Sequence, residues 1–328
     1  MTLILDNQAV RASVDMSRLM DAVEQGIQLE AGGGVQLVPR INFEVGDAGF
    51  FRVMPGVVPA LGVMGLKAFN TSAAGGVRYV IALWSTASGE LLALLDAHYL
   101  TAARTGAVTG VAHRAMTERR PHDEVGVIGS GLEARTNLEA ICAAGGICRA
   151  KVFSPNAERR SRFAAEMTDR LGIDVLAVSS PEAAADAPSV LVATNTGFGS
   201  GVVALEGRWL RDATHVNTIG STMLSLREVD GATFGRADVV VLDTRHAPSE
   251  SGDLQAAISE GHWDEAKVRS LAEVVDARAN GANGGGALTV FKSVGTALQD
   301  IVAAKQVYEI ARERGLGRTV EFLEEKFF

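Results

Sequence analysis

Four cations in the N-terminal part of the chain sit in apolar or glycine-rich surroundings: Arg40 in "LVPRINF", Arg52 in "GFFRVMPG", Lys67 in "MGLKAFN" and Arg104 in "LTAARTGAV". Burying a cation without a partner is strongly unfavourable, so any one of them would ordinarily find a distant carboxylate. Four together, with few acids beside them in sequence, point instead to an anion as the partner. A second constellation is the turn Gly129-Ser130-Gly131-Leu132-Glu133-Ala134, a GxGxxA pattern. In such a turn the first glycine permits a tight bend and the second lets the backbone approach a pyrophosphate. The small third residue lets helix and strand pack closely. The helix N-terminus that follows offers free N–H groups and a partial positive charge to phosphates. Cations beside a dinucleotide turn suggest a carboxylate-bearing substrate next to a nicotinamide.

The strand after this turn ends "VFSPNAERR". A carboxylate there would hold the adenosine ribose 2′-hydroxyl. The chain has Ser154 instead, with Asn156, Arg159 and Arg160 close behind. A hydroxyl and nearby guanidinium groups suit a 2′-phosphate, which favours NADP(H) over NAD(H).

The elements that must position these residues follow two patterns. From residue 121 onward, apolar runs alternate with helical segments: "EVGVIG", "RAKVF", "DVLAV", "SVLVAT", "THVNTIG" and "ADVVVLD" read as strands. They are continuously apolar rather than alternating, as expected of parallel strands covered on both faces. The first 120 residues read as α+β. An amphipathic helix, "MSRLMDAVEQGIQLEAG", precedes strand-like segments around "RINFEV", "GFFRVMP", "VMGLKAFN", "RYVIALWST" and "ELLALLD". A last helix over 293–315 has apolar residues at helical spacing. The expected fold class is α/β. A Rossmann-type parallel-sheet domain spans 121–292, and a discontinuous α+β domain comprises 1–120 and 293–328. The glycine-rich stretch 277–289 reads as a mobile loop.

Composition sets limits. The chain has 328 residues, 47% hydrophobic and 21% charged, with a formal net charge of −8. An acidic surface argues against nucleic acid or an anionic membrane as partner. No apolar stretch approaches the length of a membrane span, no signal peptide is evident, and a cytoplasmic location is expected. The two cysteines, Cys142 and Cys148, lack redox or metal spacing and are expected to be buried free thiols. The six histidines are scattered, and no metal site is expected.

Over nearly its full length the chain resembles the ornithine cyclodeaminase/μ-crystallin family. The matching segments are "VPRINF", "FFRVMPG", "GLKAFN", "LLALLDAHYLTAARTGAVTGVA", "VGVIGSGLEA", "THVNTIGSTMLSLREVD", "SESGDL" and "LTVFKSVGTALQDIVAA". The resemblance implies a homodimer, with the discontinuous α+β domain, 1–120 and 293–328, as its dimerisation and substrate domain. It implies that Arg40 and Lys67 hold a substrate carboxylate and that Arg104, with Thr105, stands between substrate and cofactor phosphates. Gly129, Ser130, Gly131, Leu132, Ser154, Asn156 and Arg159 would contact the adenosine diphosphate half of the cofactor. Thr194, Asn195, Ile219, Gly220 and Ser221 would lie along it, and Lys292 and Ser293 would close over its nicotinamide end.

Two departures bear on activity. Cyclodeaminases of this family carry an aspartate where this chain has Thr222, and a threonine hydroxyl cannot act as a general base near neutrality. They carry a glutamate for the distal amine of ornithine where this chain has Arg52, which would repel an ammonium. The resemblance therefore implies a ketimine reductase or amino-acid dehydrogenase, reducing a 2-imino or cyclic ketimine carboxylate. Arg40 and Arg52 would fix the carboxylate and Lys67 would serve as proton donor. The apolar residues near the proposed site, Phe50, Phe51, Met54, Phe69, Met223 and Leu224, suggest a pocket without a strong polar code, and the sequence leaves open which of them face it. Ornithine or lysine cyclodeamination, and binding of NADPH and a small ligand without turnover, are the alternatives.

Overall fold

The computed structural model describes residues 1–46, 49–72, 76–117, 123–195, 202–279 and 288–321. The chain divides into two compact units, Met1–Arg104 with Thr296–Phe328, and Thr105–Gly295. The expected boundary at residues 120–121 and most of the glycine-rich stretch, 280–287, lie outside the described residues.

The first unit opens with β1 (Thr2–Leu5), α1 (Asn7–Ser13) and α2 (Met16–Ala31). In α2, Met16, Leu19, Met20, Val23 and Ile27 bury one stripe, the spacing of a core-facing helix. The Asp15 side chain caps it by accepting the Arg18 N–H. Then come β2 (Gln36–Leu37), β3 (Ile41–Glu44), β4 (Phe50–Val58), β5 (Val63–Ser72), β6 (Gly76–Ser85) and β7 (Leu91–Asp96). Gly62, at φ 69°, supplies the left-handed residue of the β4–β5 connection. α3 (His98–Thr117) contains the division between units. α10 (Ala297–Glu313) and β16 (Arg318–Val320) complete the first unit. Its sheet runs β16-β1-β7-β6-β5-β4-β2, with β3 also paired to β4.

Register fixes what this sheet presents. Arg52 lies opposite Phe69, and Phe69 opposite Tyr79; Met54 lies opposite Lys67, and Lys67 opposite Ile81. Directly paired residues share a face, so Arg52, Lys67, Phe69 and Tyr79 are on one side, the side on which α10 packs. The other side carries Ile41, Phe43, Phe51 and Val80, all exposed. Phe51 therefore faces away from the Arg52 and Lys67 side chains. Strand alternation turns it away from Arg52, and it stacks on Phe43.

The second unit holds β8 (Glu124–Ile128), α4 (Leu132–Ala144), β9 (Arg149–Phe153), α5 (Ala157–Leu171), β10 (Asp174–Ala177), α6 (Pro181–Ala185) and β11 (Ser189–Val192). It continues with β12 (His215–Thr218), α7 (Gly231–Arg236), β13 (Val239–Leu242), α8 (Gly252–Ser259), β14 (Val268–Ser270), α9 (Leu271–Ala279) and β15 (Thr289–Lys292). The sheet order is β10-β9-β8-β11-β12-β15-β13-β14, and every pairing is parallel. Its central strands β11, β12 and β15 are buried along their whole length, as strands covered on both faces are. β14 and β15 were not expected as strands. β15 occupies the middle of the sheet, between β12 and β13, because four consecutive residues there are fully buried.

Both cysteines are free, but only Cys142 is partly buried; Cys148 is exposed. Burial, with Glu139 nearby, pushes the Cys142 thiol up to about 12. Among the described residues no helix is long and apolar enough to cross a membrane, and no group of three or more His, Cys, Asp or Glu could hold a metal ion.

Candidate active site

In the first unit, three of the four cations are buried on the α10 side of the sheet or beside it. Lys67 is 2% exposed and its ammonium lies 2.9 Å from the Asp300 carboxylate, which is wholly buried. The Arg104 guanidinium reaches the same carboxylate at 2.8 Å and donates to Gln299 Oε1 at 2.8 Å. Arg52 donates to Asn42 Oδ1 at 2.6 Å, and its guanidinium stands over Phe50 and Phe69 at 5.0 and 5.4 Å. The Lys67 ammonium is 5.5 Å from the Phe69 ring and 5.8 Å from that of Tyr79. Arg40, half-buried just before β3, is close enough to act on Lys67 electrostatically.

These surroundings lower the Lys67 pKa to about 8. Burial is the main cause. Asp300 pulls the other way, while Arg104 and Arg40 add to the lowering. Two cations share one carboxylate, and aromatic faces line the approach. A lysine in this state can hold an anion as an ammonium and can release its proton within reach of neutral pH.

Sequence reasoning found the cations and missed Asp300 and Gln299. The signal was present. Asp300 lies three residues after Ala297 and four before Ala304, so a charge sits on the buried stripe of the last helix. A carboxylate there needs a cation, and it lies 233 residues from Lys67 in sequence.

In the second unit, Gly129 has φ 122° and packs against the Ala193 carbonyl, where a Cβ would collide. Gly131 caps α4 with no side-chain hydrogen bond, and open space lies where its Cβ would be. The bend and this cradle fit a pyrophosphate at the helix N-terminus. Arg135 fixes the turn from behind, donating to the Ser130 and Gly131 carbonyls at 2.5 and 3.0 Å. Leu132 is half-buried at the start of α4. At the end of β9, Ser154 Oγ accepts from Ser130 Oγ at 2.9 Å. The Arg160 guanidinium donates to the Ser154 carbonyl at 3.0 Å. Asn156 caps α5 by accepting the Arg159 N–H, and Arg159 is exposed. Thr105, the first residue of the second unit, is buried.

At the ends of β11 and β12, Thr194 is half-buried, Asn195 exposed and Ile219 buried. Ser221 is fully buried, donating to the Leu226 carbonyl at 2.6 Å and lying 3.1 Å from Ser251 Oγ. Lys292 ends an interior strand, is fully buried, and places its ammonium 3.1 Å from the buried Asp253 carboxylate. Ser293 follows it into the interior, donating to Asp243 Oδ2 at 2.7 Å. Asp253 also accepts the Glu228 N–H at 2.7 Å, while Glu228 accepts Thr194 N–H, Thr194 Oγ–H and the Gly220 N–H. Burial raises the Glu228 pKa, with Lys292 opposing and Asp253 adding to the rise. These residues support the strand ends from beneath, and neither Glu228 nor Asp253 was singled out from sequence.

The model of the ornithine cyclodeaminase/mu-crystallin family matches residues 1–315. Alanine dehydrogenase of Archaeoglobus fulgidus is 31% identical over 330 residues, covering 98% of each chain. The structure of Thermococcus litoralis Δ1-pyrroline-2-carboxylate reductase in complex with NADH and L-proline superposes with a TM-score of 0.89 at 31% identity, over 97% of this chain and 100% of that one. An archaeal alanine dehydrogenase dimer with bound NAD gives a TM-score of 0.88 at 29% identity, over 98% and 99%. A family match along this length, with relatives that are nicotinamide-dependent oxidoreductases acting at C–N bonds, leads to one conclusion: the chain belongs to the ornithine cyclodeaminase/mu-crystallin family.

Proposed function

We propose that the chain reduces a 2-imino or cyclic ketimine carboxylate to an amino acid with NADPH. The observation that carries this reading is the buried Lys67, paired with Asp300 at 2.9 Å and crowded by Arg104 and Arg40. Arg40 and Arg52 bind the substrate carboxylate. Arg104 shares Asp300 with Lys67 and orients the lysine. The bound nicotinamide supplies the hydride that the substrate α-carbon accepts. Lys67 gives its proton to the substrate nitrogen, or positions an iminium that already carries one. The aromatic faces of Phe50, Phe69 and Tyr79 suit the flat, partly cationic C=N group. The likeness to a pyrroline-2-carboxylate reductase supports the cyclic imine class.

The turn at Gly129–Leu132, with Ser154, Asn156 and Arg159, takes the adenosine diphosphate. Preference for NADP(H) rests on Ser154 standing where a ribose-binding acid would be, with Arg159 and Arg160 beside it; the two similar structures carry NADH and NAD. The exposed apolar face formed by Ile41, Phe43, Phe51 and Val80 is suited to a second copy of the chain, and the archaeal relative is a dimer.

Cyclodeamination is disfavoured by Thr222, a half-buried threonine whose N–H donates to the Gly220 carbonyl, and by Arg52. The test is NADPH oxidation followed at 340 nm with pyrroline- and piperideine-2-carboxylate, then with 2-oxo acids plus ammonia or methylamine. Turnover with any of these supports the reading. Multiple turnovers of ammonia from L-ornithine without net NADPH consumption would assign cyclodeamination instead. Tight NADPH binding with neither activity would assign a binding protein.

A further inference from the structure

The ends of β11 and β12 are joined through a side chain that touches neither phosphate turn nor cation cluster. Glu228 is 1% exposed. Its Oε1 accepts the Thr194 N–H at 2.5 Å and Thr194 Oγ–H at 2.9 Å. Its Oε2 accepts the Gly220 N–H and Thr218 Oγ–H, the latter at 3.2 Å. Gly220 has no room for a Cβ, because the Thr194 carbonyl and the Glu228 carboxylate occupy that space. Asp253 anchors the backbone of Glu228 and Val229 at 2.7 and 3.1 Å, and Lys292 anchors Asp253 in turn. The four groups hydrogen-bonded to the Glu228 carboxyl oxygens are all donors, a set that two acceptor oxygens satisfy and an amide does not.

In this sheet β9 lies on one side of β8, and β11 and β12 on the other. In open parallel sheets a dinucleotide lies across the strand ends where the order reverses. One half then rests at β8–β9, by the glycine turn, and the other at β11–β12. We infer that Glu228 is a positioning residue for the nicotinamide half of the cofactor, clamping the β11 and β12 ends into the shape that half requires. This rests on the dinucleotide reading of the second unit and names no contact of Glu228 with the cofactor itself.

Glu228→Gln keeps the size but presents an amide NH2 to one of two backbone N–H donors, which cannot rotate away. Dissociation constants would be measured for whichever of NADH or NADPH the unaltered protein binds more tightly, and for the matching ADP-ribose, which lacks nicotinamide. The expected result is about tenfold weaker binding of the dinucleotide, the scale of one charged hydrogen bond, with ADP-ribose binding within about twofold of normal. KM for the imine should stay unchanged while KM for the cofactor rises. Equal weakening of both ligands, or no change in either, would overturn the inference. If Glu228→Gln does not fold, Thr218→Val removes one of the four donors beneath the carboxylate and keeps a strand-forming residue. It should show the same selective loss at smaller size, and equal or absent loss would overturn the inference there too. Failure of the unaltered protein to bind either dinucleotide would overturn the cofactor reading, and this inference with it.

Discussion

Each unit buries a lysine against an aspartate, and the two pairs have opposite surroundings. Lys67 and Asp300 lie 2.9 Å apart with Arg104 on the same carboxylate. Lys292 and Asp253 lie 3.1 Å apart with Glu228 as a second acid. In the first cluster two cations share one carboxylate, and the remaining positive charge attracts an anion. In the second, two carboxylates share one ammonium, and the remaining negative charge is spent on backbone N–H and hydroxyl donors of neighbouring strand ends. Under the proposed function, the same ion pair serves a reaction in one place and a scaffold in the other. What distinguishes them is the third charged group, not the pair.

The sharpest way to break this comparison is to remove each lysine. Lys292→Met leaves Asp253 and Glu228 buried without their cation. A loss of about 3–5 kcal/mol in stability is expected, the usual scale for an uncompensated buried charge, read as a fall in Tm or denaturation midpoint. Near-normal stability would show that the two acids share a proton and do not depend on Lys292. Lys67→Met leaves Asp300 still paired with Arg104, so the fold and NADPH binding should survive. Its kcat/KM should fall by at least about 10², the scale of a positioned acid or base. Lys67→Arg should not restore activity, since a guanidinium keeps its proton. If Lys67→Met lost stability and cofactor binding together, or kept turnover, the contrast between the clusters would fail.

The pH profile sharpens the same contrast. The Lys67 ammonium titrates near 8, below the ordinary 10.5. Reduction, which draws a proton from Lys67, should decline above pH 8, and oxidation of the amino acid, which returns one, should rise through the same range. The groups facing Lys67 in this balance are Asp300, Arg104 and Arg40. The step should vanish in Lys67→Met. Between about 8 and 10.5 the unfolded chain retains a proton that the folded chain has released, so the contribution of Lys67 to stability rises with pH there. A profile flat across pH 7–9 in the unaltered enzyme would mean that the substrate iminium or water supplies the proton. The smallest expected effect concerns the cofactor. Ser154→Asp places a carboxylate beside the 2′ position and should shift preference from NADP towards NAD by about tenfold through charge repulsion. An unchanged ratio of kcat/KM values would mean that the 2′-phosphate is read elsewhere.

Local chemistry was readable where the residue types themselves carried it. The glycine turn announced its bend, and the apolar runs announced strands covered on both faces. The cations announced a charged cluster by standing in places that disfavour charge. The short strand β15 was not readable, because four residues following a glycine-rich stretch give too little pattern to separate a strand from a connection. Without β15, nothing in the sequence places Lys292 in the middle of a sheet with its ammonium directed inward to Asp253. Which aromatic residues face the cations was not readable for a related reason: Phe51 and Arg52 are neighbours in sequence but point to opposite faces of a strand.

The sequence by itself determined the parallel-sheet architecture of the second unit, the glycine turn after its first strand and the set of cations, because these depend on local periodicity and on backbone freedom at a few residues. Tertiary structure alone decided which acid each buried cation meets. Asp300 reaches Lys67 across 233 residues, and Lys292 reaches Asp253 across 39. Electrostatic energy depends on distance in space and on burial, and neither is written in the spacing of residues along the chain.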